Sequence, residues 1–257
     1  MEYFELASGD KMPALGLGTW RLRGDTCTKA IRTALELGYE HIDTAEAYGN
    51  HRAIGRALQD FDPSKIFVVS KIPKSDLRHD DVLEMAERAL IELDIDTLDL
   101  LLIHWPNERI PVEETLSAMA DLVQRGKVRN IGVSNFTIDH LEEALEVTEV
   151  PIAVNQVEYH PYNNQNDLLT YCKEHNIVVT AYSPFGRGNL VRDPEIVRIA
   201  RKYDRTGAQV ILRWLVMKGL VVIPKSENPD HIKANMDIFG WELDTEAFEA
   251  IERLDSR

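Results

Sequence analysis

A chain of 257 residues with a net charge of −14 is long enough for one large core and too acidic to hold nucleic acid or an anionic membrane by charge. Its 44% hydrophobic and 28% charged residues describe an ordinary globular protein; no run of about 18 apolar residues could span a bilayer, and no secretory leader pattern is present. The two cysteines, Cys27 and Cys172, are far apart, which argues against a disulfide framework or a CxxC metal site, so a cytoplasmic protein without a metal centre is expected.

The chain opens on a hairpin pattern, with Tyr3-Phe4-Glu5-Leu6, a turn at 8–11, and Met12-Pro13-Ala14-Leu15. A repeat of apolar run and helix-like stretch follows. Strand one covers 15–19 and helix one 25–37, with Asp25 as N-cap and Gly38 as the stop. Within that helix Ala30, Ile31, Ala34 and Leu35 recur at helical spacing and face the sheet. Strand two (39–43) precedes a helix over 52–59, and strand three (66–71) precedes a helix over 80–93. Strand four (98–104) is almost wholly apolar, as expected of a strand buried on both sides. A helix over 112–124 follows it. Strand five (128–134) leads to a helix near 138–146, strand six (153–157) to a helix over 167–175, and strand seven (178–182) to two pieces over 194–203 and 208–218. Strand eight (221–223) is followed by helices over 229–235 and 244–254. Eight β/α units fill 1–257 without a composition break, which predicts one α/β domain: a (β/α)8 TIM barrel with an N-terminal β-hairpin and extra C-terminal helices.

Parallel strands deliver their C-terminal ends to one face, and four of the first five end in polar residues. Ile42 runs into Asp43, Ser70 into Lys71, Ile103 into His104, and Val133 into Ser134-Asn135. Tyr48 lies five residues beyond Asp43. Singly, each of Asp43, Tyr48, Lys71 and His104 has a structural explanation, as a turn cap, a half-buried loop aromatic, a lysine leaving the core, or a hydrogen-bonded histidine. Together at neighbouring strand ends they form a chemical set. A tyrosine is a poor acid at neutral pH unless a cation lowers its pKa. Lys71 supplies the cation, Asp43 holds it in place, and His104 can orient a substrate oxygen. The set directs a proton to a carbonyl oxygen but has no nucleophile, so the attacking group must come from a cofactor, with hydride the natural candidate.

The segments Gly38-Tyr39-Glu40-His41-Ile42-Asp43-Thr44-Ala45-Glu46-Ala47-Tyr48-Gly49-Asn50, Leu101-Leu102-Ile103-His104-Trp105-Pro106, Gly132-Val133-Ser134-Asn135-Phe136, Asn155-Gln156-Val157-Glu158-Tyr159-His160-Pro161 and Ile223-Pro224-Lys225-Ser226 resemble the aldo-keto reductases, in family order and over nearly the whole chain. The short loops and early C-terminus are most similar to the microbial branch that includes 2,5-diketo-gluconate and methylglyoxal-type aldehyde reductases. The resemblance implies NADPH-dependent reduction of aldehydes and reactive ketones, with Tyr48 as general acid, Lys71 and Asp43 tuning it, and His104 positioning the carbonyl. It implies that Ser134, Asn135 and Gln156 hold the nicotinamide carboxamide and that Tyr182 stacks on its ring. Thr19 would flank the cofactor, with Ser183 and Phe185 on its pyrophosphate side. Lys225, Ser226, His231 and Asn235 match the segment for the 2′-phosphate and adenine. Trp20, Trp105 and Phe136 would wall the substrate pocket. No GxGxxG follows a strand; Gly16 and Gly18 are instead expected to permit close backbone approach.

The chain departs from the family at several positions. His231 stands in place of a common arginine, and Ala234 in place of a Glu or Gln at the adenine. Without the arginine fork, NADPH is expected to be preferred less exclusively, with NADH as a secondary cofactor. Glu40 and His51 replace an arginine and a glutamate, and Pro73 an aromatic. A non-enzymatic nucleotide-sensing role, as in the channel β-subunits that resemble this family, would predict a broken tetrad or an added interaction segment. A hydrolase built on Asp43 with Glu46 or Glu158 would not need Lys71, Ser134-Asn135 and Gln156. The expected partner is a small carbonyl substrate, and no heptad pattern points away from a monomer.

The acidic excess comes with only 11 lysines against 18 arginines. It reads either as a surface kept soluble by repulsion or as adaptation to high salt. Thermal melting in rising NaCl tests the second reading: adaptation predicts a Tm that climbs toward molar salt, and a maximum in dilute buffer with no gain at molar salt counts against it.

Overall fold

In the computed structural model, which describes residues 1–256, the alternating pattern becomes eight parallel strands inside a ring of helices. Strands β1 (Tyr3–Glu5) and β2 (Lys11–Pro13) form the antiparallel hairpin, with Phe4 opposite Met12. The barrel units follow as β3 (Leu17–Gly18), α1 (Gly24–Glu36), β4 (His41–Asp43), α2 (His51–Leu58), β5 (Phe67–Ile72), α3 (His79–Leu93), β6 (Leu98–Ile103) and α4 (Val112–Gln124). The second half comprises β7 (Val128–Ser134), α5 (Ile138–Val147), β8 (Ile152–Glu158), α6 (Asn166–Glu174), β9 (Val178–Tyr182), α7 (Pro194–Lys202), α8 (Gly207–Met217) and β10 (Val221–Val222). Helices α9 (Pro229–Met236) and α10 (Thr245–Glu252) end the chain's regular structure.

The strands pair in sequence order from β3 to β10. The ends then meet: Gly16 N donates to Val222 O at 2.9 Å, Val222 N to Ala14 O at 2.9 Å, and Gly18 N to Pro224 O at 3.2 Å. Closure removes the sheet edges, and the close backbone approach expected at the two glycines is found at Gly18 on the closing seam, whereas Gly16 makes room for the His41 side chain. A Cβ on Gly18 would lie 2.6 Å from Ile223 O, and one on Gly16 2.5 Å from His41 Nδ1. Strand β3 is shorter than the expected 15–19. Its first residues bond only across the closing seam, whereas Leu17 and Gly18 pair with Ile42 and Asp43.

Side chains alternate inward and outward along each strand. Phe67, Val69, Leu100, Leu102, Val154 and Val221 form an inner apolar cluster with Leu6 and Met12 of the hairpin segment. The hairpin therefore floors the barrel with apolar surface. Two residues further along the same inward faces stand Lys71 after Val69, His104 after Leu102, and Gln156 after Val154. Polarity thus rises toward the C-terminal mouth.

Most other boundaries lie within a residue or two of expectation, and two of the shifts have a clear local cause. Helix α1 starts at Gly24 behind an extended Arg23, so Asp25 sits in the first turn, where its charge suits the helix N-terminus, rather than at the cap. Gly38, at φ +94°, ends that helix as read. Strand β4 starts two residues late because Tyr39 N is still bonded to Ala34 O.

His41 is fully buried in the barrel, edge-on to Phe67, and burial pushes its imidazole down from 6.5 to about 4. An unfolded imidazole takes its proton near 6.5, so between pH 6.5 and 4 the unfolded chain binds more protons. Stability is therefore full above pH 6.5 and falls as pH drops toward 4, by on the order of 3 kcal/mol for this residue. Urea melts across that range should show the decline, and H41N should lessen it, leaving the part due to His104, which titrates over the same range; a slope unchanged in H41N refutes the assignment.

Candidate active site

The inward polar layer converges on one buried ion pair. Lys71 Nζ donates to Asp43 Oδ1 at 2.6 Å and to Thr44 O at 2.8 Å, with Lys71 0% and Asp43 2% exposed. The second carboxylate oxygen accepts from Gln156 Nε2 at 2.8 Å. An unpaired ammonium at this depth would cost several kcal/mol; the carboxylate and the carbonyl offset that. Strands β4, β5 and β8 are thereby joined across the barrel mouth.

Tyr48 lies above this pair, on a single 3-10 turn over Glu46–Tyr48 that Gly49 closes at φ +61°. Lys71 Nζ is 5.4 Å from the centre of its ring. Lys71 lowers the phenol's pKa as expected, but not enough to decide the net direction. Burial raises it by more than the ammonium lowers it, and Asp43 adds to the rise. At neutral pH Tyr48 therefore keeps its proton, which is the form an acid requires. The ammonium's influence grows only as the phenol gives that proton up. His104 faces Tyr48 edge-on, with ring centres 5.8 Å apart. Burial, and then the charge of Lys71, push its imidazole down to about 4, so it is neutral at pH 7 and offers one N–H and one acceptor. Neither ring nitrogen has a hydrogen-bond partner among the described residues.

Beside them runs a continuous polar network. Ser134 Oγ donates to Gln156 O at 2.7 Å, and Asn135 Nδ2 to His104 O at 2.9 Å and Ser134 Oγ at 3.1 Å. Tyr182 Oη donates to Asn135 Oδ1 at 2.8 Å. Asn135 and Ser183 adopt left-handed φ of +63° and +50°. Thr19 Oγ1 donates to Asp43 O at 2.9 Å. The structure thus brings together Thr19, Asp43, Tyr48, Lys71, His104, Ser134, Asn135, Gln156 and Tyr182, from seven of the eight barrel strands or the loops that follow them. Sequence reasoning missed two supports. Thr44 holds Lys71 through its carbonyl, and Asn50 donates to Thr19 O, Thr19 Oγ1 and Leu22 O while accepting from Thr44 Oγ1 at 2.6 Å. A buried asparagine just after the Tyr48 turn was the available signal.

Trp20 and Trp105 are 53% and 47% exposed. Phe136, expected beside them, is not a wall of this mouth. It is 3% exposed, packs against His140 at 5.5 Å, and borders a separate cavity of about 440 Å³ beneath the 106–112 loop, because its strand has ended and the chain has turned outward. Ser183 and Phe185 follow β9 and are half-buried. Lys225 and His231 are exposed, Ser226 and Asn235 buried. Asn228 Oδ1 caps α9, accepting from Asp230 N and His231 N. Lys225 Nζ is 4.0 Å from Glu227.

Geometry weighs against the hydrolase reading. The Asp43 carboxylate is spent on Lys71 and Gln156, and Glu46 is paired with His51 and Arg88. Among the described residues no cluster of three metal-ligating side chains occurs, and no helix is long and apolar enough to cross a membrane.

A closed parallel barrel whose mouth joins a phenol, a buried ammonium–carboxylate pair and a neutral imidazole defines a class of oxidoreductase barrels. A sequence profile described as the Aldo/keto reductase family matches residues 14–256, and the chain belongs to that family. It is 40% identical to an aldo-keto reductase of Mycolicibacterium smegmatis over 98% of this chain and 92% of that one. It is 39% identical to aldo-keto reductase family 1 member A1-A of Danio rerio, over 96% and 87%. An aldo-keto reductase from a Medee basin deep-sea metagenome library superposes with a TM-score of 0.96 at 38% identity, covering 98% of this chain and 95% of that one. The nearly equal identities to the Danio rerio and Mycolicibacterium smegmatis proteins do not single out the microbial branch. The protein is thus an oxidoreductase of a family that acts on small carbonyl compounds with nicotinamide cofactors.

Proposed function

We propose that the protein reduces aldehydes and reactive ketones to alcohols with NADPH, and that Tyr48 supplies the proton. The observation that carries this reading is the buried Lys71–Asp43 pair beneath a protonated Tyr48 and beside a neutral His104. The residues present suit the cofactor. Asn235 is 4% exposed yet its side-chain amide makes no hydrogen bond among the described residues, leaving it free for an adenine edge. Ser134, Asn135 and Gln156 supply a preformed amide and hydroxyl network, Tyr182 an aromatic face beside it, and Thr19, Ser183 and Phe185 the flanks of the cleft. When bound, the nicotinamide supplies the hydride. His104 donates its N–H to the substrate's carbonyl oxygen and orients it. As negative charge builds on that oxygen, Tyr48 gives it the phenolic proton, and the Lys71 ammonium stabilises the phenolate left behind. Asp43 holds Lys71 in register throughout. Trp20 and Trp105 offer apolar walls at the open end. In the reverse direction the same phenolate accepts the alcohol proton.

The adenosine end is less specialised for phosphate. Lys225 and Ser226 provide a cation and a hydroxyl near the start of α9, but Glu227 competes for Lys225, and His231 lacks the arginine fork. Both cysteines are buried thiols raised to about 11, inert as the reducing cytoplasm proposed for this protein would allow.

Two measurements test the reading. Following nucleotide absorbance with a panel of carbonyls, Y48F should lose at least about a thousandfold in kcat while its Kd for NADP+ stays within about twofold, because the phenol supplies a proton rather than affinity. A Y48F that turns over normally sinks the assignment. For the cofactor, kcat/KM should favour NADPH over NADH by a modest ratio, about tenfold; NADH favoured tenfold would overturn the preference.

A further inference from the structure

The turn that carries Tyr48 is also held from outside the barrel, by a buried polar chain that the reaction chemistry above does not use. Ser70 immediately precedes Lys71 in β5, so by alternation its side chain leaves the barrel on the opposite face. Ser70 Oγ is 3.0 Å from His51 Nε2, at the first turn of α2. His51 Nδ1 is 3.2 Å from Glu46 Oε2, and Glu46 Oε1 accepts from Arg88 Nε of α3 at 3.0 Å. Ser70 is 0% and His51 2% exposed. Glu46 and Tyr48 are the two ends of one 3-10 turn. A path of direct contacts therefore runs from the residue next to Lys71, through one imidazole, to the turn that presents the phenol.

We propose that His51 is a positioning residue that bridges Ser70 on β5 to Glu46, and thereby fixes the Tyr48 turn against Lys71. The proposal rests on the reading of Tyr48 as proton donor. Apart from His51, whose Nδ1 lies 3.2 Å away, the buried Glu46 Oε2 has no partner among the described residues. The Glu46 carboxyl lies below the usual carboxylate range, through His51 first and Arg88 after it, and against the effect of burial. The groups facing this carboxylate are His51 from α2 and Arg88 from α3; Arg88 in turn faces Glu84 at 3.8 Å and feels Asp76. On the other side of Tyr48, Asn50 is fixed to Thr19, Leu22 and Thr44. Between these anchors the turn has Ala47 and Gly49, which bring no polar side chain of their own, so the placement of the phenol depends on its flanks. The histidine that replaces a glutamate at position 51 thus meets a carboxylate on the facing turn, and the two form a complementary pair.

The test compares wild type, H51F, E46Q, S70A and the double variant E46Q/H51F, measuring kcat, KM, NADP+ Kd by fluorescence and Tm. H51F should lower kcat about tenfold with carbonyl KM and NADP+ Kd within about twofold, since binding groups are untouched. E46Q/H51F should be no slower than H51F alone, because both changes break one bridge. The acid limb of kcat should move to higher pH in H51F, because the group that most lowers the Glu46 carboxyl is gone while burial still raises it. If H51F does not fold, S70A carries the test, with an expected loss of about threefold. A folded H51F, or in its place S70A, with wild-type kcat overturns the proposal, as does a parallel change of kcat, KM and Tm or an additive double variant. A wild type inactive on every carbonyl, or an unimpaired Y48F, instead overturns the reading of Tyr48, and the proposal with it.

Discussion

The ion pair between Lys71 and Asp43 is the contact on which the rest of the site depends. Its 2.6 Å separation at essentially zero exposure places a full charge pair in a medium where an unpaired ammonium would cost several kcal/mol. That cost makes the arrangement specific: Asp43 must be held from both sides, and it is, by Lys71 on one oxygen and Gln156 on the other. The pair locks β4, β5 and β8 at the mouth and sets the electrostatics that Tyr48 and His104 experience.

Those two groups respond differently. Burial raises the phenol and lowers the imidazole, since in each case it disfavours the charged form. Both therefore stay neutral at pH 7, one as an acid still holding its proton and the other as a hydrogen-bond donor without positive charge. The Lys71 ammonium works against burial at the phenol and with it at the imidazole, so its charge favours a phenolate over a phenol and a neutral imidazole over a charged one.

The barrel supplies this arrangement through its period of two. Along β5 the inward face runs Phe67, Val69, Lys71, and along β6 Leu100, Leu102, then His104. Apolar residues fill the hairpin end and polar ones the mouth. The outward faces meet helices instead, and there Ser70, one residue from Lys71, joins His51 and Glu46 in a buried network facing away from substrate. Adjacent residues in one strand thus join polar networks on opposite faces of the barrel wall.

Much of this was legible in the residues. Strand and helix boundaries lie within a few positions of those the pattern predicts, the close backbone approach expected at Gly18 follows from its place in strand one, and Asp43, Tyr48, Lys71 and His104 form a set because strand ends in a parallel barrel share a face. Such features are local, or follow from a period that any strand obeys. Other features were out of reach. That Phe136 turns outward, that burial outweighs Lys71 at Tyr48, that Asn50 braces Thr19, and that His51 spans Ser70 and Glu46 all depend on how segments 19 to 31 residues apart pack and how much water they exclude. Spacing in the chain determined which groups reach the mouth; the packed tertiary structure alone decided their neighbours and their protonation, because desolvation and contact distance exist only once distant segments have closed around them.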